Sequence, residues 1–395
     1  MTNELHFNLP VDVNFGRETL EKIPIICEKF QEKVLIVTSK ELQHIEQKIL
    51  DIFTEHNIDY KTYHLEEPEP DCKKIDNDSK DLSETKFECL IGIGGGSVLD
   101  MTKSLSITLT NKEPIWEFAN LSYRPPKIIS KKTIPIIAIP TTSGTGSEVT
   151  PYAVLSNKEK KQKGTIQQSE IFPKMAFVVP EFMTSMPRKL TASTGIDAFA
   201  HALESLINIS KESPISEIVS YEAMKIIFEY LPKVIDQPEN IEFRKNMAWA
   251  STLAGIAIAH RGTTTTHAIA ETLGGLTKIP HAEAVSISTI PVLTKTMPQQ
   301  KERFKEMFSR IFPESTNNEK DYSEEMMVRI TSLITTAGMN KSLVDSQHNI
   351  SEEFSKEIVT TMLDYKYRPL KQHPVIFDTE SLNNIVSEIV YGQRN

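Results

Sequence analysis

The chain is short of cysteine, of positive charge and of long apolar runs, and each shortage removes a class of protein. Only three cysteines occur, Cys27, Cys72 and Cys89. Their spacing matches neither a zinc motif nor a disulfide framework, which points to a reducing compartment. No apolar run approaches the ~20 residues needed to cross a bilayer, so no membrane association is expected. The opening stretch MTNELHFNLPVDVNFG has no basic region followed by an apolar core, so no signal peptide is expected there. Lys and Arg number 44 against 53 Asp and Glu, a net charge of -9 that argues against nucleic acid as the main partner. A cytoplasmic soluble protein is the expectation. At 395 residues, and with ~100–200 residues per domain as the usual prior, two domains are expected.

The first half alternates short β-branched runs with helix-like stretches. KVLIVTS (33–39), FECLIGIGGG (87–96), IPIIAIPTT (134–142) and KMAFVVP (174–180) read as buried strands, and KELQHIEQKILDIFTEHN as an amphipathic helix. Strands alternating with helices imply a parallel α/β layer. Beyond Pro187 the pattern becomes helical, as in SEIVSYEAMKIIFEYLPKVI and NMAWASTLAGIAIAHRG. The second of these is apolar nearly all round, which suggests a buried helix. The boundary falls in PEFMTSMPRK, giving an α/β domain over 1–184 and an all-α domain over 185–395. The acidic and lysine-rich stretches near 66–81 and 158–163 read as solvated loops.

Two polar, glycine-bearing loops follow strands. In GIGGGSVLDMTKS (92–104) free N–H groups at a helix start favour a phosphate, and Ser97 adds a hydroxyl. The pattern is neither a full dinucleotide fingerprint nor a P-loop, and a plain strand-to-helix turn is the alternative. PTTSGTGSEVTP (140–151) is dense in hydroxyls and follows another strand. Parallel sheets bind ligands at the carboxyl ends of their strands, although a surface turn would read the same way.

Asp197 and His201 in TASTGIDAFAHALES stand at i,i+4, one above the other on a helix, with Ser193 or Thr194 as its cap. Alone, such a pair is more often structural. His267 and His281 flank Gly274, Gly275 and Pro280. As one helix this stretch would hold them roughly 21 Å apart. The glycines are read as ending one helix and Pro280 as opening the next, so that the chain folds back and the two imidazoles meet. One carboxylate with three imidazoles suits Fe(II), or alternatively Zn(II), rather than Mg or Ca. His260 has no evident partner.

Taken in order, VNFGRETLEKI, VLIVTS, GGGSVLDMTK, AIPTTSGTGSEVTPYAV, LTASTGIDAFAHALES and HAIAETLGGLTKIPHAEAV resemble the iron-containing (group III) alcohol dehydrogenases over nearly the whole chain. The resemblance implies a dinucleotide-binding α/β domain, a helical domain and a cleft between them. It implies that Asp197, His201, His267 and His281 bind the metal. Gly94, Gly95, Gly96, Ser97 and Asp100 fall in its cofactor-phosphate motif, and Thr141, Thr142 and Thr145 in its second nucleotide-side loop. Lys163 falls where the family often has a lysine near the cleft, as a cofactor or catalytic contact.

Three departures are visible. Many members carry a second histidine four residues after the third ligand, where this chain has Glu271, a candidate for proton relay or substrate binding, with His260 as another relay candidate. Members that prefer NAD often have an acidic residue after the strand matching VLIVT; Ser39 followed by Lys40 tilts the expectation to NADP(H) over NAD(H). Val179 stands where Asp is frequent. PHAE also looks like the maleylacetate reductase branch, some of whose enzymes work without a metal. The expected reaction is reversible hydride transfer between nicotinamide and a small alcohol or aldehyde. The basic segment KYRPLKQHP (366–374) hints at an anionic substrate. The rival readings are a metal-independent maleylacetate reductase-like enzyme, a dehydroquinate synthase-type lyase, and a non-catalytic relative. A homodimer is the assembly envisaged.

Overall fold

A computed structural model describes residues 7–315, 321–344 and 353–392. Eight strands occur among these residues: β1 (Asp12–Phe15), β2 (Lys33–Ser39), β3 (Tyr60–Leu65), β4 (Phe87–Gly94), β5 (Ile136–Pro140), β6 (Tyr152–Asn157), β7 (Gln162–Gln167) and β8 (Met175–Val178). Six form one parallel sheet in the order β1-β8-β5-β4-β2-β3, and β6 and β7 form an antiparallel hairpin. A parallel sheet is buried on both faces, so its central strands are continuous apolar runs. Val34, Ile36, Ile91, Ile93, Ile137, Ile139 and Phe177 make that core. Val179 is fully buried in the same cluster, where a carboxylate would have to be paired.

The helices of this part are α1 (Lys22–Cys27), α2 (Gln43–Glu55), α3 (Cys72–Leu82) and α4 (Gly96–Thr108). The stretches read as loops at 66–81 and 158–163 are therefore partly regular. In α3, Cys72, Ile75 and Leu82 lie at helical spacing and are buried, and Asp71 caps the helix by accepting from the Lys73 and Lys74 N–H groups. The second stretch runs into β7, which buries Lys163.

Leu9–Ser185 forms one compact unit, and the described residues from Met186 on, joined by Phe7 and Asn8, form the other. The described part of the second unit contains no strand and ten helices. These are α5 (Arg188–Ile207), α6 (Pro214–Asp236), α7 (Ile241–Arg261), α8 (Thr265–Thr277), α9 (His281–Thr296), α10 (Lys301–Ile311), α11 (Tyr322–Thr336), α12 (Phe354–Tyr365), α13 (Tyr367–Gln372) and α14 (Thr379–Tyr391). The α/β-plus-helical architecture expected from the sequence is what the chain adopts. None of the described helices is long and apolar enough to cross a membrane.

Two local expectations are corrected. Helix α5 begins at Arg188, after Pro187, so neither Ser193 nor Thr194 is its cap; Thr194 bonds back to the Leu190 carbonyl inside the helix. Helix α8 does not stop at the glycine pair. It runs on to Thr277 and ends on Lys278, whose φ of 62° is left-handed. Interior glycine costs a helix about 1 kcal/mol. Burial of Ala268, Ile269 and Leu273 against Ala284 and Val285 of α9 offsets it. The reversal itself is present, with Pro280 directly ahead of α9.

Candidate metal centre and cofactor cradle

Asp197 and His201 project from consecutive turns of α5, His267 from the first turn of α8, and His281 from the first residue of α9. Their ligand atoms converge on one carboxylate oxygen. Asp197 Oδ1 lies 3.8 Å from His201 Nε2, 3.5 Å from His267 Nε2 and 3.9 Å from His281 Nε2. Asp197, His267 and His281 form the tightest set, with ligand atoms within 4.8 Å of one another. His201 joins it with its ring stacked on that of His267 at 4.6 Å.

These separations are long for hydrogen bonds but suit a shared cation. Four ligands at ~2.1 Å around a tetrahedral ion stand about 3.4 Å apart. Both Asp197 oxygens are buried without a hydrogen-bond partner, as is His267 Nε2. A buried carboxylate with no partner is costly unless a cation satisfies it. Burial pushes the Asp197 carboxyl up, but the three imidazoles overcome this and hold it at about 2. The residues thus fit a divalent ion of the imidazole-binding kind.

The sequence reading missed the group that orients this set. Glu204, fully buried on α5, accepts from the N–H groups of Thr264 (3.1 Å) and Thr266 (3.0 Å), from the Thr264 hydroxyl (2.5 Å), and from His267 Nδ1. That last bond fixes the tautomer: Nδ1 carries the proton and Nε2 faces Asp197. Burial pushes the His267 pKa down, but Glu204 and Asp197 flanking the ring carry it up to about 10. The ring is therefore poised to exchange an Nε2 proton for a metal ion. Glu204 lies seven residues after Asp197 and three after His201, on the same helix face, and that spacing was the available signal. Behind it, buried His373 bonds the hydroxyls of Thr264 (3.0 Å) and Thr296 (2.9 Å), and burial pushes its pKa down to about 4.

Glu271 follows His267 by one turn and forms a buried ion pair with Lys366. Burial pushes its carboxyl up, but the Lys366 ammonium, aided by His281 and His267, holds it below the usual range. Lys366 comes from the basic segment noted above, whereas Arg368 and Lys371 of that segment are exposed. His260 is engaged on both nitrogens: Nδ1 bonds the Ile256 carbonyl, Nε2 accepts from the Asn8 N–H, and the ring stacks on Phe7. Nδ1 is engaged within α7, and Nε2 with the ring face fastens Phe7 and Asn8 to that helix.

In the α/β unit the two polar loops meet. Gly95 precedes α4 and Gly96 opens it. A Cβ on Gly95 would stand 3.1 Å from Thr142, and one on Gly96 would stand 2.8 Å from Thr145. The Thr141 N–H donates to the Gly94 carbonyl at 3.1 Å. The glycines are therefore needed for close approach, and the helix N-terminus with its flanking threonines can take a phosphate. Ser97 Oγ accepts from the Glu69 N–H at 3.2 Å, and the Glu69 carboxylate pairs with buried Lys163. Lys163 is thus paired with a carboxylate within this unit. Asp100 has partners within the same unit. Its two oxygens accept from Ser147 Oγ (3.3 Å) and the Val154 N–H (3.1 Å), because one turn into α4 the helix faces the β6–β7 hairpin.

The description "iron-containing alcohol dehydrogenase" matches residues 10–180, and the C-terminal region of the Fe-containing alcohol dehydrogenase family matches residues 191–390. The chain belongs to the iron-containing alcohol dehydrogenase family. An NAD-dependent methanol dehydrogenase of Bacillus methanolicus is 30% identical over 307 residues, 77% of this chain and 78% of that protein. An NADPH-dependent butanol dehydrogenase of Clostridium saccharobutylicum is 29% identical over 364 residues, 91% of this chain and 87% of that one. Among solved structures, an archaeal halo-thermophilic alcohol dehydrogenase from a Red Sea brine pool superposes with a TM-score of 0.90 at 28% identity. The match covers 99% of this chain and all of that one. Within this family the chain carries Glu271, balanced by Lys366, one turn after the third metal-site residue.

Proposed function

We propose that this chain, a metal-dependent, nicotinamide-dependent oxidoreductase of alcohols and aldehydes, works at a centre held by Asp197, His201, His267 and His281. The observation that carries the reading is the buried Asp197 carboxylate, which lacks a hydrogen-bond partner while three imidazole Nε2 atoms stand 3.5–3.9 Å from it. Fe(II) is the proposed ion, and Zn(II) suits the same donors. When bound, the ion polarises the substrate oxygen and the nicotinamide exchanges the hydride. Glu204 keeps His267 in the ligating tautomer, and Gly95, Gly96, Thr142 and Thr145 receive the dinucleotide phosphates. NAD(P)H oxidation by a small aldehyde that needs added Fe(II) or Zn(II) supports this reading. Metal-independent turnover would favour the maleylacetate reductase-like alternative.

The sequence tilted the dinucleotide choice to NADP(H), on the view that no carboxylate follows β2. The side chains alter that balance. The Glu41 carboxyl is held below its usual range by its own backbone N–H and by the Ser39 hydroxyl, which places a negative charge at the strand end. Such a charge binds a ribose diol and repels a 2′-phosphate. We therefore propose NAD(H) as the preferred form, with Lys40 leaving NADP(H) usable. Glu41→Gln is expected to raise kcat/KM for NADPH relative to NADH about tenfold, a ~1.4 kcal/mol effect. An unchanged ratio would remove Glu41 from cofactor choice.

On the substrate side we propose a neutral alcohol or aldehyde. Lys366 has no spare charge for an anion because Glu271 neutralises it, and separating a buried pair is costly. A hydroxyl can bond to the pair without separating it. Glu271→Gln frees the ammonium, so the kcat/KM ratio for carboxylate-bearing over neutral aldehydes should rise about tenfold. If the ratio stays put, the pair does not set substrate charge.

A further inference from the structure

His267 is oriented by Glu204, and the bonds of Glu204 lead one step deeper into the helical unit. Burial pushes the Glu204 carboxyl up, but His267 and the Thr264 hydroxyl hold it below the usual range, so it is ionised. The proton between it and the Thr264 hydroxyl oxygen, 2.5 Å away, is therefore the threonine's. A hydroxyl has one proton to give, so the Thr264 oxygen is left as an acceptor on its other side. His373 Nδ1 lies there, 3.0 Å away, and must donate.

His373 is fully buried just after α13, and its Nε2 lies 2.9 Å from the Thr296 hydroxyl of α9. Burial pushes its pKa down to about 4, so at neutral pH the ring carries one proton only. With that proton on Nδ1, Nε2 is a bare acceptor and draws the Thr296 proton. The other acceptor within reach of Thr296, the Val292 carbonyl at 2.7 Å, is already served by the helical bonding of α9. One direction of donation thus satisfies every group: Thr296 to His373, His373 to Thr264, Thr264 to Glu204. The opposite tautomer breaks it. A bare Nδ1 would draw the Thr264 proton away and leave two oxygen lone pairs facing each other at Glu204. The ring is itself fastened to the frame that carries Glu204. The neighbouring Gln372 carbonyl accepts from the Ile209 N–H, just beyond α5, at 3.0 Å, and the ring packs on Phe377 at 5.2 Å.

We infer that His373, held as its Nδ1–H tautomer, is a positioning residue for the metal centre: it turns the Thr264 hydroxyl onto Glu204 and so keeps that carboxylate fixed on His267. The inference rests on the proposed metal centre. His373 bonds none of the four metal-site residues, and its effect passes through Thr264 and Glu204. Hydrogen bonds in such a buried chain reinforce one another, and one left unmade is costly.

The test is the dissociation constant of Zn(II), titrated against a competing chelator into chelator-treated full-length protein. Wild type, His373→Gln and His373→Asn are compared. The asparagine amide can place an N–H where Nδ1 stood, whereas the glutamine amide reaches the Nε2 position instead. His373→Gln is expected to weaken Zn(II) binding about fivefold or more, the scale of one buried hydrogen bond, and His373→Asn to stay within about twofold of wild type. A folded His373→Gln protein that binds within about twofold of wild type overturns the inference. So does equal weakening by both variants, which would mark a packing role. If either variant does not fold, nitrogen-15 NMR of the Zn(II)-loaded wild type decides, with the His373 ring assigned through its contacts to Thr264 and Thr296. A proton on Nδ1 supports the inference, and a proton on Nε2 overturns it. Wild-type protein that binds no Zn(II) overturns the metal centre and this inference together, an outcome distinct from equal binding by all three proteins.

Discussion

Asp197→Asn is expected to lower kcat/KM at least about a thousandfold, which corresponds to ~4 kcal/mol of transition-state stabilisation and is the scale of a lost Lewis acid. The substitution keeps the shape of a side chain that is 1% exposed and deletes only its charge. In the metal-free protein the Asp197 charge is balanced by the surrounding imidazoles, so the metal-free variant should melt somewhat lower than metal-free wild type. The two proteins should differ further when metal is added. An ion at about 100 times its Kd stabilises a folded protein by roughly 2.7 kcal/mol. Wild type should therefore gain melting temperature and the variant should not. A variant that retains both activity and the metal-induced shift would show that the carboxylate is not a ligand.

Glu204→Gln is the second large effect, and it works through one proton. Glutamate accepts from His267 Nδ1 and from three donors at residues 264 and 266. Glutamine cannot accept on both sides. With its oxygen on the threonine donors, its amide N–H faces His267 and forces Nδ1 to accept, which moves the ring proton to Nε2, the atom that faces Asp197. With the amide reversed, its N–H groups oppose the N–H groups of Thr264 and Thr266. Metal affinity is expected to fall about 10–100-fold, the range for lost orienting partners of ligating histidines. Titration of chelator-treated protein with Fe(II) or Zn(II) measures it. Affinity equal to wild type would mean that Glu204 holds the start of α8 and does not orient the ligand.

The two-part architecture was readable because parallel strands are buried on both faces and appear as unbroken apolar runs, as in KVLIVTS and FECLIGIG. Tyr60–Leu65 was missed because its residues are mostly half-buried and polar, and Gln162–Gln167 because it lies outside the parallel sheet, paired along its length with the other arm of a hairpin. The metal-site residues were readable through i,i+4 spacing and a turn. The turn was placed three residues early, because the glycines that mark a helix end in isolation are tolerated inside α8 by its packing against α9. Glu204 and Lys366 were not singled out for a different reason. The first depends on backbone N–H groups some 60 residues away, and the second meets Glu271 across 95 residues. Residue type alone carries no trace of such pairings. Asp100 shows the converse: it lies inside a cofactor motif, yet its oxygens serve the loop.

The most direct test of the metal centre is the metal content of anaerobically purified wild-type protein beside His281→Ala. About one Fe or Zn per chain in the wild type, lost in the variant together with NAD(P)H-dependent aldehyde reduction, is the predicted result. Metal-free wild-type protein that still oxidises NAD(P)H with an aldehyde would contradict the account and leave His267 and His281 as substrate-binding groups.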